Sequence, residues 1–204
     1  MTLPVKAAVL DRDGTLIDFH RDAELGAVVS AFHPDQLRLL PGVVDGLRAL
    51  RDAGYVLAIA TNQPGAAKGQ VPVAAIERTN RALVERLGGL GIPIVAVATC
   101  FHQPDGGPGG DALLARVCEC RKPAPGLLLQ LQRQLGFDPG QSWMIGDSAV
   151  DVEAGRRAAM RTALLVDTRR CELCPLKDGD PAQSCAADCL APRFDALVEA
   201  ILRR

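Results

Sequence analysis

The chain has 204 residues, 48% of them hydrophobic and 23% charged, with a net charge of −1. That length favours one domain with a sizeable core, and that composition excludes a disordered chain. The charge balance gives no basic field for nucleic acid, and 3% aromatic residues leave few platforms for stacked bases.

The first residues carry neither the charged nor the apolar region of a leader and run into an apolar segment, residues 5–10, that reads as a buried strand. No stretch is long and apolar enough to span a bilayer, so a cytoplasmic protein without membrane partners is expected. Val43, Leu47 and Leu50 recur at helical spacing, and residues 55–60 form a second strand candidate. Val73, Ile76, Leu83, Leu87 and Leu90 mark another helix, followed by a strand at 94–98. Leu127, Leu128, Leu131 and Leu135 mark a further helix, residues 142–145 and 162–166 two more strands, and Phe194, Leu197 and Ile201 a closing helix. Short apolar runs alternating with helices imply crossover connections and a doubly wound parallel α/β sheet. A single domain spanning 1–204 is expected, interrupted by a Gly/Pro-rich segment at about 100–120 and a Cys-rich one at about 169–192.

In such a sheet the residues that follow each strand gather at one edge, where ligands bind. After the first strand stand Asp11 and Asp13, in Asp-Arg-Asp-Gly-Thr. After the second stand Thr61, Asn62 and Gln63, and after the fourth stand Gly146, Asp147 and Ser148, with Asp151 beyond. A carboxylate can attack phosphorus, and a second acid can protonate the leaving oxygen and then activate water. Two carboxylates facing a phosphate dianion need a cation, and magnesium suits oxygen ligands. Thr61, Asn62 and Lys122 supply a hydroxyl, an amide and a positive charge for the phosphoryl oxygens. Asp-Gly and Asn-Gln-Pro-Gly are also ordinary turn formers, but four such groups in order, each at an element boundary, outweigh that reading. Asp18, Asp22 and Asp35 read as solvated charges.

Asp11-Arg12-Asp13-Gly14-Thr15, Thr61-Asn62-Gln63, Lys122-Pro123 and Gly146-Asp147-Ser148 with Asp151 resemble the four ordered motifs of the haloacid dehalogenase superfamily, over about residues 5–166. The resemblance implies a Rossmann-like fold of that type without a large cap domain. It implies Asp11 as nucleophile and magnesium ligand, and Asp13 as general acid and base lending its carbonyl to the metal. It further implies Thr61 and Asn62 on the phosphoryl group, Lys122 neutralising it, Asp147 as a metal ligand and Asp151 in support.

Seven cysteines cannot all pair within the chain, and in a reducing compartment their clustering points to metal. Cys100, His102, Cys118 and Cys120 form a C-x-H…C-x-C set, which suits a closed tetrahedral zinc site two residues before Lys122. Buried free thiols beside a surface histidine are the plainer alternative. Cys171, Cys174, Cys185 and Cys189 form a second cluster, for which a structural zinc is preferred and disulfides or free thiols stay open.

The first set followed by Cys120-Arg121-Lys122-Pro123 resembles bacterial D-glycero-D-manno-heptose 1,7-bisphosphate phosphatases and the related histidinol-phosphate phosphatases. That resemblance implies removal of the 7-phosphate in nucleotide-heptose synthesis, with Arg121 and Gln63 facing substrate. Residues 18–33 depart from the substrate loop of the heptose enzymes, and Ser148 stands where they often have lysine. His20, Arg21 and His33 therefore read either as substrate-facing or as solvated. The partner expected is a small phosphate ester of the sugar-phosphate class. The rival readings are a phosphatase for histidinol phosphate or another small ester, a phosphotransferase, and a zinc-stabilised interaction module without catalysis. Oligomeric state is not readable from the sequence.

Overall fold

A computed structural model describes residues 5–22, 26–166 and 186–204. In chain order its strands are β1 (Ala7–Leu10), β2 (His20–Asp22), β3 (Ala27–Val29), β4 (Val56–Asn62), β5 (Ile94–Cys100), β6 (Trp143–Gly146), β7 (Arg161–Leu165) and β8 (Cys189–Ala191). Its α-helices are α1 (Val43–Asp52), α2 (Val73–Gly89), α3 (Gly126–Leu135), α4 (Ala149–Arg157) and α5 (Phe194–Leu202).

Six strands form one parallel sheet in the order β5-β4-β1-β6-β7-β8. The chain winds outward from β1 to β5, then returns across β1 to build the other half. That reversal opens a crevice at the carboxyl ends of β1, β4 and β6. All four residues of β1 are buried, as in a strand covered on both faces. Leu10, Leu57, Ile59 and Ile145 face α1, α2 and α5 through Leu47, Leu50, Leu83, Leu87 and Phe194. Ala58, Ala60, Ala96 and Ala98 face α3 and α4 through Leu127, Leu128, Leu131 and Ala154, so small strand residues meet large helix residues.

Each expected strand is present, displaced at most a residue or two at its ends. Three features go beyond the sequence reading. Residues 18–33 are not a plain loop, because β2 and β3 pair as an antiparallel hairpin. The helix α4 has a weak apolar stripe, and Asp151 starts it by accepting from the Ser148 N–H at 3.2 Å and from its hydroxyl at 2.5 Å. The Cys-rich segment closes in a strand, β8, whose register Ala163 to Cys189 extends the sheet. Three residues are too few for a pattern of period two to be visible.

Candidate active site

The end of β1 delivers two acids to the crevice in different surroundings. Asp11 lies beside Lys122, whose ammonium donates to its Oδ1 at 2.7 Å and to the Ala60 carbonyl at 2.8 Å. The same ammonium stands 2.6 Å from Asp151 Oδ1. Lysine has three N–H donors, so one buried cation spans the ends of β1, β4 and α4. Burial pushes the Asp11 carboxyl up to about 6, with Asp151 and Asp13 adding repulsion and Lys122 opposing them. Burial alone would lower Lys122, but Asp11 and Asp151 outweigh it and hold the ammonium above its ordinary range. Lys122 therefore stays charged.

Carboxylate oxygens of Asp11, Asp147 and Asp151 lie within 4.8 Å of one another. Asp151 is committed on both oxygens, one to Lys122 and the other to Ser148. Asp11 and the half-buried Asp147 share that cluster, which can hold a cation. An all-oxygen donor set of this kind fits magnesium.

Asp13 belongs to a second network. Arg12, fully buried, donates from Nε to Asp13 Oδ2 at 3.0 Å and from Nη2 to Oδ1 at 3.1 Å. Gln63 donates to Asp13 Oδ2 at 2.5 Å and to Thr61 Oγ at 2.9 Å, and accepts from Arg12 at 2.9 Å. Gln63 is fully buried, and its amide is taken up by these neighbours. The Asn62 amide donates to the Lys122 carbonyl at 3.0 Å and accepts from the Lys122 N–H at 3.1 Å, so it clamps the lysine's main chain. The sequence motif alone gives Arg12 no part. Its role is set by residues 19, 51 and 68 positions away, and no local pattern carries that.

The four atoms Cys100 Sγ, His102 Nδ1, Cys118 Sγ and Cys120 Sγ also converge within 4.8 Å. Their neighbouring separations run from 3.1 Å (Cys100 to Cys120) to 3.7 Å (Cys100 to Cys118). Tetrahedral zinc with thiolate bonds of about 2.3 Å needs ligand separations of about 3.7 Å, so donor type and spacing fit that ion. His102 turns its other nitrogen, Nε2, to Arg116 at 2.9 Å, and Arg121 donates to the His102 carbonyl at 3.2 Å. Arg121 is half-buried at this junction. The loop packs against the segment after β4. A Cβ at Gly110 would stand 2.0 Å from the Ala67 carbonyl oxygen, and one at Gly107 2.7 Å from that of Lys68.

The remaining candidates make local contacts. Arg21 pairs with Asp18 at 2.9 Å on the hairpin, and His33 caps a 3-10 turn through Asp35. His20 is half-buried within β2. Of the second cysteine cluster, Cys171, Cys174 and Cys185 fall outside the described residues. Cys189 is a buried core residue of β8.

A family model for haloacid dehalogenase-like hydrolases matches residues 19–159. The chain is 35% identical to a D-glycero-β-D-manno-heptose-1,7-bisphosphate 7-phosphatase of Yersinia pestis, over 82% of this chain and 84% of that protein. It is 34% identical to the Pasteurella multocida protein of the same name, over 80% and 82%. Among solved structures it is similar to a D,D-heptose 1,7-bisphosphate phosphatase from B. bronchiseptica complexed with magnesium and phosphate. That similarity has a TM-score of 0.74 and 26% identity, over 98% of this chain and 99% of that one. A putative phosphatase of the same superfamily from Mesorhizobium loti gives a TM-score of 0.73 at 25% identity, over 97% and 86%.

Proposed function

The chain belongs to the haloacid dehalogenase-like hydrolases, and on that premise we propose a magnesium-dependent phosphomonoesterase that works through an aspartyl-phosphate on Asp11. Its substrate in this reading is D-glycero-D-manno-heptose 1,7-bisphosphate, cleaved at the 7-phosphate. The observation that carries the reading is the pairing of Asp11 with Lys122 in a buried crevice, in a chain 35% identical to a heptose bisphosphate 7-phosphatase over most of its length.

The chemistry follows from the two acid environments. Asp11 attacks phosphorus in line, forming an Oδ–P bond as the bond to the leaving oxygen breaks. Asp13 gives its proton to that oxygen, then takes one from the water that hydrolyses the acyl phosphate, which restores both carboxyl groups. Lys122 keeps its charge at every step and offsets charge on the phosphoryl oxygens. Thr61 stands at the end of β4, where a phosphoryl oxygen would lie. Magnesium, held by Asp11, Asp147 and the Asp13 carbonyl, would screen the phosphate from the carboxylates. Zinc on Cys100, His102, Cys118 and Cys120 would fix the loop leading into Lys122. In this reading the whole chain acts as one phosphatase unit inside the cell, and Arg121 contacts the sugar phosphate.

A panel of phosphomonoesters, assayed with magnesium and with bound metal measured in parallel, tests the proposal. The expected result is free phosphate released from heptose bisphosphate with a kcat/KM orders of magnitude above that for histidinol phosphate. Preference for histidinol phosphate, transfer of phosphate to a sugar, or release from no ester would each overturn it.

A further inference from the structure

Arg12 separates the two acids in sequence, and the mechanism above gives it no part. It is fully buried, and its guanidinium serves four partners from four separate segments. Besides Asp13 it donates from Nη1 to Asn80 Oδ1 at 2.6 Å on α2, and from Nη2 to the Ala31 carbonyl at 3.0 Å after β3. The fourth partner is Gln63 at the end of β4. Asn80 is anchored in turn, donating to Thr99 Oγ on β5 at 3.1 Å. A guanidinium is a rigid planar fork, so fixing its outer nitrogens fixes the direction of Nε and Nη2. Those two atoms grip Asp13.

We propose that Arg12, held by Asn80, Gln63 and the Ala31 carbonyl, is the positioning residue for Asp13 in proton transfer to the leaving group. This rests on the reading of Asp13 as the general acid. Asp11 has its own cation in Lys122, so the site contains two independent clamps, one for the nucleophile and one for the acid. Asp13 Oδ2 takes both the Arg12 Nε–H and the Gln63 amide, whereas Oδ1 takes one N–H. Oδ1 is therefore the less occupied of the two oxygens. In the first step Asp13 passes a proton to the ester oxygen as the P–O bond breaks and the bond from Asp11 forms. The cost of misplacing the acid depends on the leaving group, because an alkoxide needs the proton and a p-nitrophenolate does not.

That dependence separates positioning from a merely structural role. Rapid-quench measurement of alcohol release in the first turnover is made with an alkyl phosphate (glycerol 3-phosphate) and with p-nitrophenyl phosphate. The proteins compared are wild type, Arg12→Met, Asn80→Ala and Asp13→Asn. Expected are a loss of about tenfold or more for Arg12→Met, and a smaller loss for Asn80→Ala, with the alkyl ester, and less than about twofold change with the aryl ester. Equal losses on both esters, or none on either, would overturn the role of Arg12. If Arg12→Met does not fold by circular dichroism, Asn80→Ala decides by the same ratio. Asp13→Asn is the control on the premise: if it slows both esters equally, the assignment of Asp13 as acid fails, whatever Arg12 does.

Discussion

Lys122 decides the balance of charge at the residue scale. Its ammonium sits between Asp11 and Asp151, almost out of contact with water. Removing one partner of such a buried set leaves an uncompensated charge, which costs roughly 3–5 kcal/mol. Lys122→Met is therefore expected to lose stability of that order in denaturant unfolding, as well as turnover. Asp11 behaves in the opposite sense. Its folded pKa of about 6 exceeds the unfolded value of 3.8, so the folded chain keeps a proton that the unfolded chain has released. Stability contributed by this group is full below about pH 4 and is lost as pH rises through 6. Asp11→Asn cannot titrate. In metal-free protein its stability relative to wild type is expected to rise between pH 4 and 6, then level off, while turnover is abolished at every pH. For wild type, calorimetry is expected to show magnesium binding weakening as pH falls below about 6, because the proton then competes with the metal for Asp11.

At the scale of elements, the decisive piece is the loop between β5 and α3. It contributes few apolar residues to the core, and Leu113 and Val117 are largely exposed. What holds it is the convergence of four ligand atoms at one end and backbone contact with the β4–α2 segment at the other. Gly110 has no room for a methyl group against the Ala67 carbonyl. Gly110→Ala is expected to cost roughly 1–3 kcal/mol in chemical denaturation, because backbone on both sides must shift. On the zinc reading proposed above, Cys118→Ser is expected to lower the zinc content measured by elemental analysis. It is also expected to lower kcat roughly tenfold or more, because the loop leads into Lys122. Asn62 supports the same lysine from the other side, through two hydrogen bonds to its main chain.

Across the whole molecule, stability and chemistry are separated in space. The core lies between the sheet and its helices, and the acids stand beyond the strand ends. Leu83, fully buried between α2 and the sheet, is far in the chain from every catalytic candidate. Leu83→Ala is expected to destabilise by roughly 2–5 kcal/mol. In a chain of this size that lowers Tm by several degrees, while kcat well below the melting range stays within about twofold of wild type. A matching fall in kcat would mean that helix packing, and not the strand ends alone, sets the geometry of the crevice. Among the described residues, no helix is long and apolar enough to cross a membrane.

The alternation of apolar strands and periodic helices made the parallel sheet legible, because burial on both faces demands continuous apolar runs. The order of the strand-end acids marked the site, because the carboxyl ends of parallel strands must share one edge. The C-x-H…C-x-C set pointed to a metal, because few other uses bring those four side chains together. What only the tertiary structure decided is which partner each polar group takes. Gln63 braces Asp13 and Thr61. Asn62 holds the backbone of Lys122. Arg12 grips Asp13. Period and motif register what repeats along the chain. A buried hydrogen bond between residues dozens of positions apart repeats nothing, and it exists only once folding has removed the water that would have served instead.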